Sequence, residues 1–110
     1  RAEGNRRATA HVLFTVLNAN YAVLMDRPLE DRQNKACKQQ VEKMSRYARE
    51  ALGIAVKVHD TELEAVSNFW LANLHLMSGK YKEALQAAGT TINLAGECKD
   101  SWLGSTIQID

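Results

Sequence analysis

The feature that most constrains this chain is the stretch from Leu71 to Leu85, LANLHLMSGKYKEAL. Two segments with apolar residues at helical spacing meet there at Ser78-Gly79. Gly79 can adopt the left-handed backbone conformation that ends a helix. The small side chains of Ala72 and Ala84 allow two helix backbones to approach closely. The stretch therefore predicts a pair of helices joined by a tight turn.

The composition favours the same kind of structure along the whole chain. Hydrophobic residues make up 45% and charged residues 25% of the 110 residues, which is typical of one globular domain. One proline and six glycines provide few turns, so helices are favoured over a β fold. We predict an all-α protein.

The spacing of apolar residues along the chain predicts four helices and the start of a fifth. Pro28 is expected to be the first residue of the second helix. Thr61 followed by Glu64 is typical of a capping box at the start of the third helix, with Asp60 as a competing cap. The predicted helices are 8–25, 28–56, 61–77 and 80–95, followed by a segment from Trp102 onward.

The central stretch resembles the tetratricopeptide repeat, a helix–turn–helix unit. The matching residues are Ala72, Gly79, Tyr81, Ala84 and Leu85. The departures from the family pattern are Trp70, His75 and Thr91. The resemblance implies antiparallel helical hairpins that stack as a right-handed array.

A second pattern repeats at forty residues. The segment from Glu50 to Ala65 aligns without a gap on the segment from Thr90 to Ser105, so that Asp60 falls on Asp100 and Leu63 on Leu103. This period resembles the long-period subgroup found in kinesin light chains and G-protein-regulator adaptors, which bind other protein segments. It divides one domain, 1–110, into hairpin one at about 8–58, hairpin two at about 61–96 and the start of a third pair at 100–110.

The resemblance also implies a concave groove that binds a peptide or helix. In this family an asparagine often follows the small residue of the first helix of a pair, and Asn20 and Asn73 occupy those positions. Phe69 and Trp70 are adjacent and point about 100° apart on a helix, so either one lies at the groove or a repeat seam, or both lie at a helix junction in the core. The predicted groove residues are Asn20, Asn73, Phe69, Trp70, Val66, Met77 and Leu24.

No catalytic or metal-binding pattern is evident in the sequence. His11, His59 and His75 lie far apart, and none has a histidine or cysteine four residues away. No phosphate-binding or nucleophile motif is present. The basic residues of the second helix alternate with Glu42 and Glu50, which is typical of a solvated face. We predict no enzyme activity, no metal and no cofactor.

Net charge and cysteine usage limit which partners and which cellular compartment we expect for this chain. The net charge of +1 gives no electrostatic reason to expect nucleic acid. We expect no membrane insertion, because no apolar run approaches the roughly 20 residues needed to cross a bilayer. Cys37 and Cys98 lack C-x-x-C spacing, so we expect free thiols in a reducing, cytoplasmic compartment. The start at Arg1 without a methionine indicates a piece of a longer protein.

Two functions agree with these observations. The first is a protein–protein interaction scaffold that holds a peptide or a helix of a partner in the groove. The second is a self-associating helical bundle that acts as a dimerisation or regulatory module, favoured by the long second helix and the apolar pair Trp102-Leu103.

Overall fold

The computed structural model describes residues 2–28, 30–31 and 34–97, and these form four α-helices without any β-strand. The helices are α1 (Ala2–Met25), α2 (Lys35–Lys57), α3 (Thr61–Met77) and α4 (Tyr81–Glu97). The prediction of an all-α protein with four helices is confirmed. The expected fifth helix, within 100–110, lies outside the described residues.

The helices pack in chain order, α1 on α2, α2 on α3 and α3 on α4. Short connections, 58–60 and 78–80, make α2, α3 and α4 antiparallel neighbours. α1 also contacts α3 at two places. The Arg7 Nε atom lies 3.1 Å from Asp60 Oδ2, and the rings of Tyr21 and Trp70 meet edge to face at 5.7 Å between centroids. α1 and α3 therefore run in the same direction.

The core lies where α1, α2 and α3 meet. Leu17, Met44 and Leu74 are fully buried there, one from each helix. Small side chains of α2, at Ala48, Ala51 and Ala55, let the neighbouring helices approach its backbone closely. The fully buried Ser67 hydroxyl donates to the Leu63 carbonyl at 2.8 Å, so its burial leaves no donor unpaired.

α2 begins later than its sequence predicts. Its first residue is Lys35, and the prediction that Pro28 opens this helix is wrong. Asn34 is the cap instead, because its side-chain oxygen accepts a hydrogen bond from the Cys37 amide at 2.9 Å. The buried side of α2 starts with Cys37, and the described residues Glu30 and Asp31, before Asn34, are exposed.

α2 and α3 end in the same type of turn, a Schellman motif. After α3, the Lys80 amide donates to the His75 carbonyl at 2.8 Å and the Gly79 amide donates to the Leu76 carbonyl at 3.1 Å. Gly79 has a φ of 76°, which confirms its predicted role as the residue that ends the helix. His59 takes the equivalent place after α2 with a φ of 56°, a conformation that costs a residue with a Cβ atom more than it costs glycine.

Asp60 caps α3. Its carboxylate accepts a hydrogen bond from the Leu63 amide at 3.1 Å, and Thr61 is already the first helical residue. Of the two caps that the sequence allowed, the structure therefore has Asp60. The same carboxylate contacts Arg7, so one side chain both starts α3 and joins it to α1.

Candidate interaction surface

An apolar groove of about 520 Å³ lies on the face of α3 and α4 that no other described helix covers. α3 contributes Phe69, Ala72, Asn73 and Leu76 to its lining. α4 contributes six side chains, Tyr81, Ala84, Leu85, Ala88, Thr91 and Ile92. We call this surface the α3–α4 groove. None of its ten lining residues carries a charge.

The groove forms because each of the two helices has an apolar stripe that faces away from α2. On α3, Phe69 and Leu76 are seven residues apart, which is two helical turns. On α4, Tyr81, Leu85 and Ile92 recur at spacings of four and seven residues. The Ala72 and Ala84 side chains between the stripes are short, so the floor of the groove lies close to the two backbones.

Large apolar side chains are exposed along this surface. Leu85 is 75% exposed, and Tyr81, Ile92 and Leu76 are each more than half exposed. Complete burial of one such side chain contributes about 1.5–3 kcal/mol. Contiguous apolar surface of this kind is typical of a place where another helix or protein binds.

The adjacent aromatic residues of α3 point in different directions. Trp70 is buried and contacts Tyr21 of α1, whereas Phe69 is 44% exposed and lines the α3–α4 groove. The two rings still meet edge to face at 6.5 Å between centroids. Of the alternatives left open by the sequence, the structure places one aromatic ring in the core and one at the surface.

Asn20 and Asn73 do not line one common groove. Asn73 lies in the α3–α4 groove, and its side-chain amide donates to the Phe69 carbonyl at 3.0 Å. Asn20 lies between α1 and α2, where its amide donates to the Val16 carbonyl and its oxygen accepts from the Gln40 amide at 2.7 Å. Asn20 therefore bonds within the fold at the seam of the first two helices.

The other residues expected to line a single groove are also distributed over the fold. Leu24 is buried, and Val66 is half-buried and packs against the core. Met77 lies beside α2 and does not line the α3–α4 groove. Trp70 belongs to the core as well. Of the seven predicted groove residues, the structure brings only Phe69 and Asn73 together in the α3–α4 groove.

The residues that carry the family resemblance have two kinds of position. Gly79 ends α3, and Ala72 and Ala84 lie at the contact between α3 and α4. Tyr81 and Leu85 are exposed, although the resemblance makes them structural. Ile92 and Leu76 complete the exposed stripes. Ile92 and Leu76 were not predicted as site residues, because apolar residues at helical spacing predict a face buried in the core equally well.

Potential ligand side chains do not converge in the described part of the chain. No group of three or more histidine, cysteine or acidic side chains lies together there. His11 packs on the Phe14 ring, His59 lies in the turn after α2, and His75 is half-buried beside α2. Cys37 is buried as a free thiol.

Length and composition do not distinguish α1 from a membrane-spanning helix. The segment Gly4–Met25 is long enough and apolar enough to cross a bilayer. The sequence-based prediction that no apolar run approaches the length of a membrane span is therefore wrong. This is weak evidence for a membrane, because core helices of soluble proteins and signal sequences have the same property. Ala10, Phe14, Leu17 and Leu24 of this helix belong to the core. The expectation of no membrane insertion stays a prediction.

Comparisons of this chain with protein-family models, with curated proteins and with solved structures found no match. The resemblance to the tetratricopeptide repeat therefore stays a prediction from the residues that carry it.

Proposed function

We propose that this chain is an interaction scaffold that binds an amphipathic helix of another protein in the α3–α4 groove. The observation that carries the proposal is the groove itself, which is open and lined by ten uncharged residues. A third helix can pack its side chains between two antiparallel helices in the same way as helices pack in a core. The expected partner segment has apolar anchors spaced three, four and seven residues apart.

The lining determines the chemistry of this partner. Leu76, Leu85 and Ile92 offer aliphatic surface, and Phe69 offers an aromatic ring. A charged side chain facing this surface would lose its hydration without gaining an ion pair, so the docked face of the partner should be uncharged. The Asn73 side-chain oxygen and the Tyr81 hydroxyl are the polar groups available to fix the register of the docked helix.

Stacked tetratricopeptide-like hairpins remain the architecture that we propose. Three observations support it: α2 and α3 end in the same Schellman motif, these two helices end twenty residues apart, and α1 contacts α3 along a parallel course. In such a stack the α3–α4 groove lies on the last hairpin that the structure describes. The proposed scaffold is non-enzymatic, needs no metal and acts in the cytoplasm.

Substitution of one groove residue tests the proposal. Leu85→Glu places a charge in the groove at a position that is 75% exposed, so the fold should tolerate it. Val12→Glu is the matched control, because Val12 is 60% exposed on α1, away from the groove. Circular dichroism melts should show that both variants remain folded.

The measurement is direct titration. A protein captured by the native chain is cut to its amphipathic segment, and the synthetic segment is titrated into the three proteins by calorimetry. We expect Leu85→Glu to weaken binding at least about tenfold and Val12→Glu to leave it unchanged, since loss of one buried leucine contact exceeds 1.4 kcal/mol. Equal binding by all three proteins would refute the groove as the docking site.

Self-association is the second candidate, because the exposed groove of one copy is available to a helix of another. Light scattering over a hundredfold concentration range distinguishes the two functions. A mass that rises with concentration in the native chain and not in Leu85→Glu would favour the self-associating bundle. A constant monomer mass would exclude it.

A further inference from the structure

A polar cavity of about 770 Å³ meets the α3–α4 groove at Leu76 and Tyr81, which line both. One wall of this cavity is α2, and the opposite wall is the end of α3 together with the turn 78–80. We call it the α2–turn cleft. Its lining differs in kind from that of the groove, because most of its side chains are polar or charged.

Three cations line the α2–turn cleft, against one carboxylate. Lys38 and Arg49 lie on α2, Lys80 lies in the turn on the opposite wall, and Glu42 is the carboxylate. All four residues are exposed, and none of them forms an ion pair within the described part of the chain. The excess of unpaired cations gives the cleft a positive potential that attracts an anionic ligand.

The hydroxyl group of Ser45 points independently to a ligand in this cleft. Ser45 lines the cleft, is 8% exposed, and has no hydrogen-bond partner among the described residues. No fully buried side-chain nitrogen or oxygen there lacks a partner, so the Ser45 oxygen must reach the open space of the cleft. A carboxylate bound in the cleft would accept from this hydroxyl and from a ring N–H of the half-buried His75.

The spacing of the cations determines which kind of anion fits. Lys38 and Arg49 are eleven residues apart, which is roughly 16 Å along the axis of α2. A single phosphate or sulfate ion is too small to contact both. Five residues of extended peptide span roughly 17 Å, so acidic side chains near its two ends reach both cations. Glu42 lies between them on α2, so the middle of the peptide should be uncharged.

From these observations we infer that the α2–turn cleft binds an extended acidic segment of another protein. One carboxylate is held by Arg49 and Ser45, which are one helical turn apart, and another by Lys38. Because Leu76 and Tyr81 line both cavities, the segment continues from the end of the helix that docks in the α3–α4 groove. This continuity rests on the proposed function, whereas the binding of an acidic segment does not.

The cleft is distinct from the binding positions that the family resemblance implies. Asn20 lies at the α1–α2 seam and Asn73 in the α3–α4 groove, and neither of them lines the cleft. The inference therefore depends on the cations and the Ser45 hydroxyl that the fold brings together, and not on the resemblance.

Substitution of two cleft cations tests this inference in the whole chain. The cleft variant is Arg49→Gln with Lys80→Gln, at two exposed positions that the fold should tolerate. The control variant, Arg46→Gln with Lys82→Gln, removes the same charge from exposed residues that do not line the cleft. Circular dichroism melts should show that both variants remain folded.

The probe is the peptide acetyl-EEGEE-amide, titrated at low ionic strength while the amide signals of Ser45 and Gly79 are followed by NMR. We expect these signals to shift in the native chain and the control variant, and the cleft variant to bind about tenfold more weakly, because two exposed charge contacts are lost. Ser45→Ala changes no charge and should also weaken binding. Equal affinity of the native chain, the cleft variant and Ser45→Ala would overturn the inference.

Further ligands test the chemical class of the segment. The peptide acetyl-QQGQQ-amide has the same length without the charges and should leave the Ser45 and Gly79 signals unchanged. Inorganic phosphate that shifts the same signals at lower concentration than the acidic peptide would overturn the choice of an extended ligand. A single-stranded oligonucleotide that binds there more tightly than the peptide would overturn the assignment to a protein segment.

The cleft variant also separates this inference from the proposed function. If acetyl-EEGEE-amide binds as expected and no amphipathic helix binds the groove, the cleft stands as a site and the scaffold proposal fails. A partner helix with an acidic flank that binds the native chain and the cleft variant equally would sustain the scaffold and overturn the continuity between the two cavities.

Discussion

Two turn residues with left-handed backbones allow a direct test of how α2 and α3 end. His59→Gly should stabilise the protein by about 1 kcal/mol, because glycine adopts a positive φ without a Cβ penalty. Urea denaturation of the variant and the native chain measures the difference. No gain in the free energy of unfolding would mean that the His59 side chain contributes to the fold.

Gly79→Ala should have the opposite effect and destabilise the protein by about 1 kcal/mol. A Cβ at Gly79 would meet no atom within 4 Å, so the cost comes from the backbone conformation alone. Gly53→Ala is the matched control, since Gly53 has equally open space but lies inside α2. There alanine should stabilise the helix by about 0.5–1 kcal/mol. The two alanine substitutions should thus shift the melting temperature in opposite directions.

The two contacts of the Asp60 side chain can be separated. Asp60→Asn keeps a good helix cap and weakens the contact with Arg7, a pair of partly exposed groups, so we expect a loss of at most about 0.5 kcal/mol. Asp60→Ala removes the cap as well and should cost about 1 kcal/mol more. Equal losses measured by chemical denaturation would contradict the capping role.

Within helix α3, the adjacent aromatic residues should differ in what their removal affects. Trp70→Ala should destabilise the fold by about 3–5 kcal/mol, because it empties a buried site and removes the ring contact with Tyr21. Phe69→Ala should cost less than about 1 kcal/mol in stability, because the ring is 44% exposed, and should weaken binding at the groove. Calorimetric melting and titration of both variants measure the two effects. A large loss of stability in Phe69→Ala would place its ring in the core.

Helical periodicity was sufficient to predict the existence of the four helices. Val41, Met44 and Ala48 predicted the buried side of α2, because residues that recur at three and four positions share one face of a helix. The start of α2 was not predictable in the same way. Pro28 and Asn34 both favour a helix start, and the start is at Asn34, whose side chain accepts from the Cys37 amide.

The groove was harder to predict, for a physical reason. Leu85 and Ile92 have the spacing of core residues, and a sequence pattern does not say which neighbouring helix covers an apolar stripe. Asn20 and Asn73 have similar local sequences, yet one bonds to Gln40 at the α1–α2 seam and the other lies in the groove. Only the tertiary arrangement separates these positions.

For the whole molecule, the α3–α4 groove is the surface on which the proposed function rests. Leu76, Tyr81, Leu85 and Ile92 are each more than half exposed there, so a docked helix would remove a large apolar area from water. We expect an amphipathic helix of a partner protein to supply that cover.

Solvent paramagnetic relaxation of methyl groups, measured with and without a bound partner helix, tests docking at the groove most directly. Ile92 and Val23 have matched exposures of 63% and 62% in the described fold, one in the groove and one on α1. With a soluble gadolinium chelate, we predict similar relaxation of all four residues in the free chain; in the complex with a partner helix, the Ile92 and Leu85 methyl signals should relax several times more slowly than the Val23 and Val12 signals. Equal relaxation enhancement at all four residues in the complex would show that the bound helix leaves the groove open, and it would contradict docking at this site.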